Sequence, residues 1–414
     1  MTPIRLHPGW MLFALLSSLS ARGASLSLDD ALLLAERNAP SLLAQSEKIS
    51  AAKSSAIPAG ELPDPKLNLG LQNVPIEGDE RWTTQRDNMS MQVVGLMQEV
   101  PNRDKRKARI ESAQAAVERA DAEAGVERLK VRSASAQAWI AAYTLQRKLA
   151  MFDDFYRENR LLDAAVRARL AGGGASTVDS VAPRQEAALL DEQKDDLLRQ
   201  AAQARAALKR WIGQDAPPEL SGDFPHWSID ASRSLQALHQ HPELAAYGPM
   251  TREAEALVRE AVAEKKPDWS WEVDYQRRGR EFGDMMTLQV SFDLPLFAGT
   301  RQDPKIAARR AQVRQLEAER EALTREHEQA LEDDLAEYRR LQRAVERSSA
   351  TLVPLAEEKV RLALAGYRAG KTALDEVVSA RQQQVEARLR QIDLQGALAL
   401  VAARIYFTYE ENRA

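Results

Sequence analysis

The 414-residue chain has no cysteine, few aromatic residues (6%) and no apolar run of about 20 residues. Without cysteine it can form no disulfide bond and carry no lipid on an N-terminal cysteine, so packing or assembly must stabilise it. Without a long apolar run, no helix is expected to span a bilayer in the processed chain. The charges nearly balance, with 57 basic against 61 acidic side chains and a formal net charge of -4. Such a balance creates no field for a polyanion and argues against nucleic acid as a partner.

Motifs for catalysis and for cofactors are also missing. The sequence contains no Gly-x-Ser-x-Gly, no P-loop and no dinucleotide-binding fingerprint. The histidines after the N-terminal segment show no spacing with carboxylates that suggests a closed metal site. These histidines are His226, His239, His241 and His327. We therefore expect no enzyme activity, no cofactor and no bound metal.

The first 23 residues are predicted to be a secretory signal peptide. Arg5 opens a short basic segment, an apolar stretch follows from Trp10 to Leu19, and small residues at Ala21 and Gly23 suit cleavage after residue 23. An exported chain without a lipid-bearing cysteine is either free in the periplasm or held in the outer membrane by its own fold.

The remaining chain contains the same pattern twice, at a spacing near 200 residues. In each half a helix precedes two short alternating strands, a long helix rich in Ala and charge, and a closing helix. The long helices are predicted near residues 102–170 and 302–366, with a kink or break at Pro354. A helix of roughly 68 residues is about 100 Å long, and the shorter helices stacked end to end could lie beside it. We divide the chain into a first repeat (24–213), an equatorial link (214–233) and a second repeat (234–414).

Each repeat is predicted to contain a β-hairpin with one apolar and one polar face, near residues 65–100 and 267–295. A membrane strand with a wet lumen requires this alternation, and a segment of about 9–11 residues crosses a bilayer when tilted. Side chains expected to face lipid are Trp269, Trp271, Tyr275, Phe292 and Leu288. Side chains expected to line a pore are Glu272, Asp274, Asp293, Lys66 and Gln289.

Four strands cannot close a barrel, because single-chain bacterial barrels begin at eight strands and open edges are not tolerated in lipid. Several copies must therefore share one barrel, with eight strands from a dimer or twelve from a trimer. The predicted fold class is an α+β membrane protein, in which a long antiparallel α-helical barrel forms a tunnel and a transmembrane β-barrel is shared between protomers.

The order of these elements resembles the TolC-like outer-membrane efflux proteins, and is most similar to their CzcC-like heavy-metal branch. The most specific motif runs from Gly366 to Val378 and is followed by Arg381 and Gln382; its weaker first-half counterpart includes Asp179. The resemblance implies a homotrimer with a twelve-stranded barrel, a periplasmic adaptor and an inner-membrane pump of the RND type as partners. It also implies a periplasmic tip, or tunnel entrance, at the two turns. The expected tip residues are Asp375, Asp179, Gly370, Gly172 and Thr372.

The function expected from this resemblance is an outer-membrane exit duct that passively conducts substrates, with heavy-metal cations favoured by the acidic pore face. A periplasmic coiled-coil adaptor is the alternative outside the membrane, and a channel for protein secretion or drug efflux is the alternative within the same architecture. The acidic residues of the tip also have a local alternative: capping the N-termini of their helices would by itself account for Asp375 and Asp179.

Overall fold

A computed structural model of the protein describes residues 25–214 and 219–410. The predicted signal peptide lies outside these residues. Within the described part of the chain, no helix combines the length and the apolar character needed to cross a membrane. The regular elements are α1 (Leu28–Asn38), α2 (Pro40–Ala56), β1 (Lys66–Gln72), β2 (Met91–Val100), α3 (Arg103–Ala150), α4 (Phe152–Ala171), α5 (Ala182–Ile212), α6 (Ala231–Leu238), α7 (Pro242–Ala263), β3 (Trp269–Arg277), β4 (Met285–Phe292), α8 (Gln302–Arg347), α9 (Val353–Arg368) and α10 (Leu374–Ile405).

The long helices carry local interruptions. Between α8 and α9 the chain forms a π-helical turn, Ser348–Leu352, which ends two residues before Pro354. Proline has no backbone N–H and its ring clashes with the carbonyl four residues earlier, so the wider turn accommodates it. The break predicted at Pro354 is therefore confirmed. A second interruption, at Met151, was not predicted. The Met151 N–H donates to Lys148 O, three residues earlier, and this change of hydrogen-bond pattern separates α3 from α4.

Two shorter helices also divide where the sequence analysis drew one. Before the first hairpin, α1 ends at Asn38 and α2 begins at Pro40. Before the second hairpin, α6 runs from Ala231 to Leu238 and α7 begins at Pro242. In both cases the proline occupies the first turn of the new helix, where its missing N–H costs nothing. The residue before a proline avoids the helical conformation, which ends the preceding helix.

The four strands form one antiparallel sheet in the order β1-β2-β3-β4. β2 belongs to the first predicted repeat and β3 to the second, and they pair from Gln92 opposite Arg277 to Val100 opposite Trp269. The two hairpins thus become neighbours in a single sheet, although nearly 170 residues separate them along the chain. All four strands fall within the two segments, 65–100 and 267–295, in which hairpins were predicted.

A large hydrophobic cluster surrounds the second half of α3. Trp139 and Tyr143 stack with ring centroids 4.8 Å apart, and both are almost completely buried. Their polar atoms bond to chain segments that cross this helix: Trp139 Nε1 donates to Leu26 O at 3.1 Å and the Tyr143 hydroxyl donates to Gly222 O. Elsewhere α3 buries mainly alanines, which let neighbouring helices approach closely.

Candidate channel sheet and helical tip

One face of the sheet is apolar and exposed. Cross-strand partners share a face, so the register places Trp269 beside Phe292, and Val273 beside both Leu288 and Leu96. The exposed fraction reaches 70% for Leu288 and 60% for Phe292. A continuous apolar surface of this kind marks contact with another protein or with lipid. The residues expected to face lipid, brought together here on one face, are Trp269, Trp271, Tyr275, Phe292 and Leu288.

The opposite face carries the ionisable side chains. Glu272 lies opposite Gln289 in the register and accepts a hydrogen bond of 2.6 Å from the Asn68 amide. Lys66 forms an ion pair on the same face with Glu99. Four of the five residues expected to line a pore therefore share this face: Glu272, Asp274, Gln289 and Lys66.

Two details of this face could not be read from alternation. Asp274 folds over Gly95 of the neighbouring strand, where an added Cβ would lie 1.9 Å from the Asp274 Oδ1 atom. Only glycine leaves room for that carboxylate, so Gly95 fixes its position. Asp293, the fifth expected pore residue, follows the last residue of β4, and its N–H donates to Asp268 O at 2.9 Å.

A polar joint connects the sheet to the long helices. Asn102 caps α3 by accepting from the Lys105 N–H at 3.0 Å, and its own N–H and side-chain amide donate to Asp268 Oδ1. Lys105 Nζ donates to Asp268 Oδ2 at 2.7 Å. Burial alone would raise the pKa of Asp268, but the bonds from Lys105 and Asn102 outweigh it and hold the pKa below its usual value. The start of β3 is thereby tied to the start of α3.

At the opposite end of the helices, two turns from different halves of the chain meet. Arg169 Nη1 donates to Tyr367 O at 2.6 Å, and its guanidinium lies over the Tyr367 ring, 4.4 Å from the centroid. Thr372 packs against Gly366, where an added Cβ would meet the Thr372 Oγ1 atom at 2.1 Å. These contacts bring the expected tip residues of both halves into one region.

The two turns use glycine differently. Gly370 has the left-handed φ of +76° that favours glycine, and in the first half Gly173 (φ +71°), the neighbour of Gly172, has this conformation. Asp179 accepts from the Ser176 N–H at 3.0 Å within a capping box, which confirms the capping role for this residue. Asp375 is exposed in the first turn of α10, two residues after the N-cap residue Ala373. Its side chain lines the same groove as Glu376.

A buried ion pair lies close to the tip. Arg381 and Glu186 are each only 5% exposed, and Arg381 Nε donates to both Glu186 carboxylate oxygens, at 2.9 and 3.2 Å. Arg388 extends this network by bonding to Glu158 at 3.0 Å and to Glu357 at 2.8 Å. The sequence analysis noted Arg381 as part of the tip motif, but nothing in the sequence indicated its partner.

A further cluster was missed completely. His241, Glu243 and His327 each place a potential ligand atom within 4.8 Å of the other two, although the sequence analysis expected no metal site. His327 Nε2 lies 2.9 Å from Glu243 Oε2. Burial, reinforced by His327, lowers the pKa of His241 to about 4, and the hydrogen bond with His327 lowers the pKa of Glu243. The only sequence signal was the His-x-Glu pair at the start of α7, because His327 lies 84 positions after Glu243.

The chain is similar in sequence and in fold to known outer-membrane proteins. Residues 234–408 match the family described as outer membrane efflux protein. The cobalt-zinc-cadmium resistance protein CzcC of Cupriavidus metallidurans is 25% identical over 391 residues, which cover 92% of this chain and 89% of that protein. Among solved structures, CusC superposes with a TM-score of 0.79 at 16% identity over 92% of both chains. VceC of Vibrio cholerae superposes with a TM-score of 0.74 at 19% identity over 92% of this chain and 95% of that one.

These matches confirm the expected fold class, in which each chain supplies helices of a tunnel and four antiparallel strands. They also agree with the expectation that the chain is not an enzyme, since the matched family consists of efflux proteins. Residues 234–408 thus match the outer membrane efflux protein family, and the chain as a whole shares the fold of the solved channels CusC and VceC.

Proposed function

We propose that the chain forms the outer-membrane exit duct of a tripartite efflux system. The observation that carries this proposal is the two-faced sheet: one face exposes large apolar side chains, and the other holds Glu272 and Asp274. Lipid on one side and water on the other account for both faces. A soluble hairpin would bury one of them against its own core.

The open edges of the sheet support assembly into a homotrimer. β1 and β4 each pair with a single neighbour in the described chain. Unpaired backbone groups are not tolerated in lipid, so these edges must pair with the edges of further copies. Three chains of four strands supply the twelve strands of a closed barrel. Residues 24–213 and 234–414 act in this arrangement as two repeats joined by the link at 214–233.

The charges of the polar face favour cations. Lys66 is neutralised by its ion pair with Glu99. The described partner of Glu272 is an amide, and Asp274 lies against Gly95, so their negative charges remain to act on a permeating ion. Two such carboxylates per chain make six in a trimer. With the similarity to CzcC, this favours divalent heavy-metal cations as the cargo.

The helical tip is the proposed contact site for a periplasmic adaptor, which links the duct to an RND-type pump in the inner membrane. Tip side chains that suit this role are exposed, including Asp375 and, next to Asp179, Val178 at 74% exposure. The turns at Gly172 and Gly370, with Thr372 packed beside the latter, set the shape of this end. An acidic ring of Asp375 from three copies would surround the entrance.

The proposal is tested by expressing the full-length protein, extracting the outer membrane and comparing unheated with heated samples on a denaturing gel. We expect a heat-labile band near three times the protomer mass and stable channels in planar bilayers. A soluble periplasmic monomer would contradict the duct and favour the adaptor alternative.

Ion selectivity tests the pore face separately. Substituting Glu272→Gln together with Asp274→Asn is expected to lower the preference for cations, measured as the reversal potential in a salt gradient. Glu80→Gln in the loop between β1 and β2 removes one exposed charge outside the strands and is expected to leave the preference unchanged. If alanine at Glu272, Asp274 and Asp293 together left selectivity at the wild-type value, the assignment of the acidic face to the pore would be wrong.

A further inference from the structure

The cluster of His241, Glu243 and His327 joins two helices of the second half. His241 is the N-cap residue of α7, where its Nδ1 atom accepts from the Glu243 N–H at 3.2 Å. Pro242 occupies the first helical position, so the chain direction at this point is fixed and both side chains are presented from one turn. His327 comes from the middle of α8 and closes the cluster through Glu243.

The surroundings of the cluster hold it in place. The rings of His241 and His327 lie 4.2 Å apart between centroids. The Tyr409 hydroxyl donates to the backbone O of His327 at 3.2 Å, which ties α8 to the last turn of the described chain. His241 is 4% exposed, whereas the Glu243 side chain is 43% exposed. An ion could therefore enter from the side of the carboxylate.

We propose that His241, Glu243 and His327 form a binding site for a divalent transition-metal ion of the zinc, cobalt or nickel class. Two imidazoles and one carboxylate are donors that such ions accept. Calcium and magnesium prefer oxygen ligands, so the donor set selects against them. Three protein ligands leave one position of a tetrahedral ion open to water from the side of Glu243.

Only small movements are needed to complete the site. Bonds of about 2.0–2.1 Å in a tetrahedron place ligand atoms about 3.4 Å apart, and the present atoms lie within 4.8 Å of one another. The ion would replace the hydrogen bond between His327 and Glu243. If His241 binds through Nδ1, the ion would also replace the cap bond from the Glu243 N–H. The site lies away from the strands and from the tip turns, and it does not depend on which cargo the duct conducts.

The test uses the full-length oligomer in detergent, purified through a tag without histidine and stripped with a chelator. Zinc chloride and cobalt chloride are titrated by calorimetry, and the bound metal per chain is counted by mass spectrometry. We expect one ion per chain, and we expect His241→Ala and His327→Ala each to weaken the binding at least tenfold. His239→Ala is the matched control, because His239 is exposed two residues before His241. It should bind like the wild type.

Two further variants keep the result interpretable if an alanine substitution disturbs folding. Glu243→Gln retains a hydrogen-bonding group of the same shape and removes the anionic ligand, so the oligomer should persist on an unheated gel while affinity falls. In the cobalt-loaded protein, X-ray absorption should show imidazole nitrogen around the metal, and His327→Gln should reduce that signal. Absence of binding by the wild type would overturn the proposal. Equal stoichiometry and affinity in the His241→Ala/His327→Ala double variant would also overturn it.

Discussion

Replacing Arg381 by alanine should loosen the tip half of the helical tunnel more than any exposed substitution nearby. The side chain contributes to a pair that is almost fully removed from solvent, with Glu186 as its direct partner. Arg381→Ala leaves the Glu186 carboxylate buried without its cation. The nearest remaining guanidinium of the network, Arg388, is already bonded to Glu158 and Glu357.

The expected size follows from the asymmetry of buried ion pairs. Removing one partner typically costs about 3–5 kcal/mol, because the remaining charge stays desolvated. Replacing both partners by apolar side chains of similar volume is often neutral, because no charge is then left behind. Arg381→Met combined with Glu186→Leu should therefore recover most of the stability that Arg381→Ala loses.

Hydrogen exchange followed by mass spectrometry measures this loss locally, in peptides from the first turns of α5 and α10. At 1.4 kcal/mol per factor of ten, the loss of about 3–5 kcal/mol corresponds to exchange faster by about a hundredfold to a few thousandfold. Arg199→Ala is the control, since Arg199 forms an exposed pair with Asp196 further along α5 and such pairs contribute about 0–1 kcal/mol. Equal exchange in Arg381→Ala and Arg199→Ala would refute the reasoning, as would a double variant no better protected than the single one.

Two other contacts give testable expectations. Gly396→Ala should lower the melting temperature measured by circular dichroism, because the new Cβ would lie 2.3 Å from Thr144 Oγ1 on α3 and such overpacking costs about 1–3 kcal/mol. Adding Thr144→Ala should restore the melting temperature, and the control Gly125→Ala, which has open space at its Cβ, should be neutral or stabilising. Asp268→Asn should make oligomer dissociation on gels depend less on acid pH. The pKa of the Asp268 carboxyl is lower in the folded protein than its unfolded value of 3.8, so its ionised form stabilises the fold above that pH. This stabilisation is lost as the pH falls from 3.8 through the folded pKa. A variant with the wild-type acid profile would show that Asp268 does not carry this dependence.

Much of the sheet could be predicted because its signal is local. In a strand, successive side chains point to opposite faces, so alternation in the sequence translates directly into an apolar and a polar face. The face assignments of Trp271 and Glu272 followed from this rule alone. Breaks at proline were partly predictable for the same reason: a kink or break was predicted at Pro354, whereas the helix before the first hairpin was drawn as one element across Pro40.

Other features had no local signal. Met151 interrupts a helix without proline or glycine, and the left-handed turn position falls on Gly173 within a run of three glycines that all permit it. The role of Gly95 depends on Asp274, which lies on the neighbouring strand and occupies the space above it. In these cases the deciding contact involves a residue distant in the sequence, or the local pattern permits several equivalent residues and does not select one.

The sequence by itself determined the helical and strand segments, the two-faced character of the strands and the resemblance to efflux channels, because periodicity and short motifs are properties of neighbouring residues. The tertiary structure alone decided which distant side chains meet. Glu186 and Arg381 pair across 195 positions, and Glu243 and His327 across 84. Long antiparallel helices bring such residues side by side at a height set by the length of every intervening helix and turn. A shift of a single residue in one of them would turn the side chain by about 100° and separate the pair.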